Sequence, residues 1–321
     1  MLPWPGASAR LALRIVSLLP SATEIVCALG LGNRLVGVSH ECDRPGFVRG
    51  LPQVTRTSIP SVLPSAEVDL LVRERVRAGE PLYSLDRVLL ERLRPDLILT
   101  QALCDVCAVA EADVEAAVCD LPGGARVLSL GPRTLAEVLL AMREVGAAAG
   151  LDERATDEVV RGLEARVEAV AGRSARLAER PGVALLEWLA PPFACGHWSP
   201  ELVRLAGGEE RLGREGEPSR ALRWEEVAEA RPEVVVAACC GLDVGRTLAD
   251  VAELGGLALW RELPAVRAGR VFVLDGARYL SVPGPSLVDS LEILAHALHP
   301  DAHPLPERLP RPLCVTALAG P

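Results

Sequence analysis

The sequence predicts an α/β fold: two Rossmann-like lobes joined by a single long α-helix, with a ligand cleft between the lobes. Three observations predict it. Apolar, strand-like runs alternate with helical patterns through both halves of the 321-residue chain, as βαβ units and parallel sheets require. One stretch, from Asp152 to Glu179, keeps helical spacing with few breaks. Four sulfur-bearing runs sit just past strand-like segments, two in each half: His40-Glu41-Cys42-Asp43, Cys104-Asp105-Val106-Cys107, Cys195-Gly196-His197-Trp198 and Cys239-Cys240-Gly241. Ligands of open α/β sheets bind outside the carboxyl ends of the strands, so these ends point to one shared cleft. The expected division is a first lobe over 1–133, a helical linker over 134–180 and a second lobe over 181–321.

The elements follow in order. Arg14 to Leu19 reads as a first strand, and Pro20-Ser21-Ala22-Thr23-Glu24 opens a helix. Ser21 is placed to cap that helix, with Glu24 reaching back three residues on. Leu35 to Ser39 is a second strand, delivering the His40 run. Leu63 to Arg77 and Ser84 to Arg94 have helical spacing, and Pro95 stops the latter before the strand Leu97 to Thr100. Ala108 to Val118 is helical and Arg126 to Leu130 a strand. Thr134 with Glu137 forms a second capping box, and Asp152 caps the long stretch. Val159, Val160, Leu163, Val167, Val170 and Leu177 recur there at helical spacing. At 1.5 Å per residue it would span ~40 Å.

The second half repeats the opening. Val183 to Trp188 is a strand, Ser199-Pro200-Glu201 a helix start with a cap and Pro in the first turn, and Trp224 to Ala230 a helix. Glu233 to Ala238 is a continuous apolar run, the mark of a strand buried on both faces. Val271 to Leu274 is the last strand and Pro285 to Leu298 the last helix, with an irregular Pro-rich tail after Pro300.

Half of the residues are hydrophobic, enough for a core in each lobe; aromatics are only 3 %, so Leu, Val and Ala must build it. All 34 basic residues are Arg, and the net charge is −9. That balance argues against a nucleic-acid partner. No run of about 18 apolar residues exists, so the chain is not expected to be membrane-embedded. Met1 to Ile15 does not read as a signal peptide, because Pro3 and Pro5 come early and Arg10 and Arg14 interrupt the apolar stretch. This predicts a cytoplasmic protein with its nine cysteines reduced, or a periplasmic or extracytoplasmic one if the true start lies elsewhere. A monomer is expected.

In the order of its pieces the chain resembles the substrate-binding proteins of ABC importers with a helical backbone (periplasmic binding protein class III), and most closely those that bind cobalamin, vitamin B12. The resemblance runs from Arg14 to Pro300. It rests on Ile15-Val16-Ser17-Leu18-Leu19-Pro20-Ser21-Ala22-Thr23-Glu24, on Val36-Gly37-Val38-Ser39 and on Leu93-Arg94-Pro95-Asp96-Leu97-Ile98. The second half adds Pro191-Pro192-Phe193 with Gly196, Arg231-Pro232-Glu233-Val234-Val235-Val236, and the run from Leu259-Trp260 through Val266-Arg267-Ala268-Gly269-Arg270-Val271. It implies reversible capture of a bulky ligand without chemistry, hence no catalytic residues, and delivery to an ABC transporter permease docked through an exposed carboxylate on each lobe. Glu24 is a candidate for that docking beside its capping role.

The resemblance places the ligand at the strand ends: His40, Glu41, Cys42, Asp43, Gln101, Cys104, Cys107, Phe193, Cys195, His197, Trp198, Cys239, Cys240 and Tyr279. The chain departs from it in an extra segment, about Ser58 to Leu82, and in ends rich in Cys and His rather than Trp and Tyr. A corrinoid, cobalamin or a precursor, is the expected ligand, with His40 or a cleft thiol able to replace an axial ligand of cobalt or iron. Trp198 is a candidate to stack on a macrocycle face. Of the adjacent Cys239 and Cys240, at most one faces the cleft. Two alternatives stand beside it. His40, Cys42, Cys104, Cys107, Cys195 and His197 could converge on zinc or a similar ion, or a reactive thiol could make the protein a cofactor-processing enzyme.

Overall fold

The computed structural model describes residues 13–60, 63–101, 111–119 and 124–315. Two sheets form the two lobes. The first is wholly parallel, with Leu35–Val38, Ile15–Ser17, Leu97–Gln101 and Arg126–Leu130 side by side in that order. The second has the parallel strands Gly182–Leu189, Val234–Ala237 and Val271–Val273 at its centre. Antiparallel strands flank them: Pro192–Ala194 and Arg220–Ala221 on one side, Leu313–Cys314 on the other. Val234–Ala237 is fully buried along its length, as its unbroken apolar sequence requires of a central parallel strand.

The lobes are joined by helices Leu135–Ala148 and Glu153–Ser174. The second has 22 residues and spans ~33 Å. It begins where Asp152 accepts from the N–H groups of Arg154 and Ala155 at 3.0 and 3.3 Å. Its buried stripe is Thr156, Val160, Leu163, Val170 and Ser174, one face at helical spacing. Both sides of this rod are fastened. Arg143 of the preceding helix pairs with Asp157 and Glu164, and Gly146 lets Thr156 approach so closely that a Cβ would lie 2.4 Å from its hydroxyl. On the other side Arg166 holds Asp289 and Glu292 of helix Ser286–Leu298. One apolar core runs from the first sheet through these helices to the inner face of the second sheet. A second core, around Leu186, Val235 and Trp260, fills its outer face.

Several local expectations are corrected. The long helix ends at Ser174, so residues 175–179 of the expected stretch lie outside it. Ser21 and Glu24 form no capping box, since helix Pro20–Ala28 starts from Leu19 without a side-chain cap. Ser199 does not cap either; its hydroxyl donates to Glu187 at 3.3 Å. Thr134 does cap, accepting from the Glu137 N–H at 3.2 Å, while Glu137 reaches back to the Arg133 N–H. The expected helix from Ser84 is preceded by a strand, Tyr83–Leu85, which pairs antiparallel with Thr55–Thr57. The tail is not wholly irregular, because Leu313–Cys314 adds an edge strand.

Candidate functional site

In the first lobe the strand Leu35–Val38 ends in Ser39 and His40, and the hairpin Thr55–Thr57/Tyr83–Leu85 packs beside them. The buried Thr55 hydroxyl donates to Ser39 Oγ at 3.0 Å. Its single proton is thereby used, so it accepts from the His40 backbone N–H at 3.1 Å and from the His40 ring at 2.7 Å. The imidazole therefore carries its proton on Nδ1. Burial lowers the pKa of His40, which keeps the ring neutral at pH 7. Nε2 is left as a lone pair, buried and without a hydrogen-bond partner among the described residues. The Tyr83 ring lies 5.7 Å from the imidazole, and its hydroxyl donates to the exposed Glu41 at 3.2 Å.

Cys42 turns the other way. It belongs to the apolar core and is 2 % exposed. Thr23 donates to Ser17 Oγ at 2.8 Å, so the Cys42 thiol, 3.1 Å from Thr23 Oγ1, is the donor in that pair. Burial pushes it up to about 12. Asp43 is held on the surface by Arg44 and Arg49. Gln101 ends its strand half-buried. Cys104 and Cys107 lie outside the described residues.

In the second lobe Glu187 interrupts the apolar strand Gly182–Leu189. Its carboxylate accepts from Ser219 and Ser199 and from the Gly196 N–H, and burial raises its pKa. Glu210 accepts from the N–H groups of Leu185, Leu212 and Gly213 at 3.0–3.1 Å; burial pushes it up to about 7. Together they pin the loops around Cys195 and His197. A side chain on Gly196 would collide with the Ser219 backbone at 2.3 Å. His197, at φ +52°, is clamped there between Glu217 and Gly216. Its ring stacks on Trp198 at 5.5 Å, and burial and the nearby Arg133 lower its pKa.

Other expected contacts give way to packing. Trp198 is 6 % exposed and its indole N–H donates to the Leu280 carbonyl at 2.6 Å, so it fills core rather than presenting a face. Cys195 and Cys239 are buried in the two cores and Tyr279 is 1 % exposed. Phe193 is half-buried on its short strand, and Cys240 is exposed, the outward member of its pair. Glu24 is neither a cap nor an exposed docking carboxylate. It lies against Gly284 and Ser286 of the second lobe, where burial raises its pKa and Ser286 opposes the rise. Among the described residues no three His, Cys, Asp or Glu side chains are placed to hold a metal ion. The zinc reading loses Cys42 and Cys195, whose thiols are buried and protonated.

Residues 15–277 match the family model described as periplasmic binding protein. The chain belongs to the periplasmic binding protein family. A vitamin B12-binding protein of Vibrio cholerae is 26 % identical over 292 residues, covering 87 % of this chain and 86 % of its own. An uncharacterized ABC transporter substrate-binding lipoprotein of Bacillus subtilis is 22 % identical over 299 residues, covering 90 % and 80 %. Among solved structures, a periplasmic heme binding protein from Pseudomonas aeruginosa superposes with a TM-score of 0.73 at 22 % identity, over 96 % of this chain and 100 % of its own. The periplasmic vitamin B12 binding protein of Vibrio cholerae gives 0.65 at 20 % identity, over 89 % and 96 %. These superpositions establish the two-lobed fold.

As a periplasmic binding protein the chain binds and does not transform its ligand, so the thiol-enzyme reading falls. The expectation of a cytoplasmic protein is also overturned, because the family is periplasmic by description and the Bacillus subtilis relative is a lipoprotein. No helix among the described residues is long and apolar enough to cross a membrane.

Thr55, Tyr83 and Glu187 were missed in the sequence. Glu187 had a signal: a lone carboxylate inside the apolar run Val183 to Leu189 must find partners when buried. Thr55 and Tyr83 had none, since 25 residues separate the two strands of their hairpin.

Proposed function

We propose that this protein is the extracytoplasmic substrate-binding component of an ABC importer and that its cargo is a metal-centred macrocycle, a corrinoid such as cobalamin or a precursor. It acts as a monomer, and the cargo is handed to the permease without chemical change. The lobes 1–133 and 181–321 hold the ligand from either side, with 134–180 as the rigid connector.

The observation that carries this reading is the buried Nε2 lone pair of His40, which has no hydrogen-bond partner among the described residues. A bare zinc ion needs three or four convergent donors. A cobalt or iron already held by four equatorial nitrogens needs only one or two axial donors, and a neutral imidazole with its other nitrogen hydrogen-bonded is a good one. The relatives support the class of cargo: one of them is a vitamin B12-binding protein and one structural neighbour a heme binding protein. Heme is the second reading, favoured by the same donor.

The test is an optical titration of the purified protein with hydroxocobalamin and with hemin, beside a calorimetric titration with zinc. The reading expects a stoichiometric shift of the visible bands with a macrocycle, altered in His40→Ala. Tight stoichiometric zinc binding without response to either macrocycle would reverse it.

A further inference from the structure

The extra segment between the second strand and the following helix does not trail over the surface. It leaves the first lobe through the hairpin Thr55–Thr57/Tyr83–Leu85, whose Thr55 and Tyr83 are the residues packed on His40. Among the described residues, Leu63 and Ser65 of this segment bond to the second lobe. Ser65 Oγ donates to Asp250 Oδ2 at 2.6 Å, and Arg246 Nη2 donates to the Leu63 carbonyl at 2.7 Å. Asp250 and Arg246 belong to helix Val244–Leu254, whose Thr247 meets Cys239 at the carboxyl end of a central strand of the second sheet. The segment thus runs from the strand ends of one lobe to the strand ends of the other.

Its fastening is sparse. Between the two ends lies helix Ser65–Ala78, in which Ser65 is the only residue fully buried. Leu70 and Val76 are more than half exposed, and no residue of this helix belongs to either core. Gly79, at φ +68°, stops the helix and turns the chain back toward the hairpin. An element whose described residues make few apolar contacts, and which is held to the second lobe by polar bonds, opens far more readily than the fold unfolds.

We propose that this segment is a strap across the cleft, latched to the second lobe by Ser65–Asp250 and Arg246–Leu63, and that its unlatching gates entry and release of the ligand. The bond to a carboxylate is the stronger of the two, because one partner is charged. Strap and His40 are coupled by construction: the hairpin that anchors the strap also fixes the ring through Thr55. The gating role rests on the reading that the ligand lies in the cleft; the latch itself does not.

Two measurements separate these. In the unloaded protein, amide hydrogen exchange of helix Ser65–Ala78 is followed in Ser65→Ala/Arg246→Met against wild type. The latch predicts exchange faster by about tenfold in that helix and unchanged in strands Ile15–Ser17 and Val234–Ala237. In the second, residues 59–81 are replaced by Asn-Gly, which closes the hairpin with a two-residue turn, and binding of hydroxocobalamin and hemin is timed by stopped flow. Gating predicts association and release both accelerated by about tenfold, with a smaller change in their ratio. Unchanged exchange in the double variant refutes the latch, even if neither macrocycle binds wild type. Unchanged rates in a variant that still binds refute the gate. If the shortened protein does not fold, the double variant gives the same kinetic test.

Discussion

His40 Nδ1 lies 2.7 Å from the Thr55 hydroxyl, and the Thr55 proton is already committed to Ser39. That pair of facts fixes the tautomer of a ring whose other nitrogen is buried without a partner among the described residues. Thr55→Val should release the ring and leave the buried His40 N–H and Ser39 hydroxyl short of a partner, at a cost of about 1–3 kcal/mol. Nitrogen chemical shifts of His40 should show protonated Nδ1 in wild type and in Thr55→Ser, and a mixture of tautomers in Thr55→Val.

The rod between the lobes is pinned to the second lobe by Arg166, whose guanidinium meets Asp289 and Glu292 and is 30 % exposed. Arg308 shares both carboxylates, so removal of Arg166 does not strand them entirely. Arg166→Met should lower stability by about 2 kcal/mol, less than for a fully buried pair. Urea unfolding would register it, and an unchanged midpoint would show that the brace is dispensable.

His303 is 2 % exposed, accepts from Arg173 at Nδ1 and contacts Ser174 at Nε2. Burial, with Arg173 beside it, pushes its pKa down to about 4 from an ordinary 6.5. The unfolded chain takes up this proton as pH falls through 6.5, whereas the folded protein refuses it until near 4. Stability should therefore fall with pH across that window, by at most about 3 kcal/mol from this group. His303→Gln should flatten that part of the profile. Burial of Glu210 works in the opposite sense: its pKa is raised to about 7, so its contribution is present in acid and lost as pH rises through neutrality.

Among the six cysteines whose side chains are described, only Cys240 is exposed. Cys42 and Cys239 are pushed up to about 12 and Cys27 to about 11, all chiefly by burial. A thiolate reagent at pH 8 should label Cys240 first of these six. Rapid labelling of Cys42 in the native protein, read by mass spectrometry, would contradict its place in the core.

The sequence carried the architecture because the architecture is periodic. Val234–Ala237, the stripe Val160–Leu163–Val170 and the caps at Thr134 and Asp152 all announce themselves within a few residues. The site did not, because its partners are remote. A carboxylate three residues after a serine looks the same whether it reaches back to its own helix or, as Glu24 does, lies against the opposite lobe. Cysteines beside polar residues look like donors, yet Cys42, Cys195 and Cys239 point into apolar cores. His40 was legible as a residue; its tautomer depends on Thr55, fifteen positions away.

In the function proposed above, the His40 imidazole meets a metal that the cargo itself supplies. Electron paramagnetic resonance of the protein loaded with cob(II)inamide, which has no nucleotide base of its own, tests it most directly. Axial ligation by His40 predicts splitting of the cobalt lines by one nitrogen, changed from three-fold to two-fold by 15N-histidine and lost in His40→Ala. Bound cob(II)inamide with no nitrogen splitting, or splitting that survives His40→Ala, would contradict it.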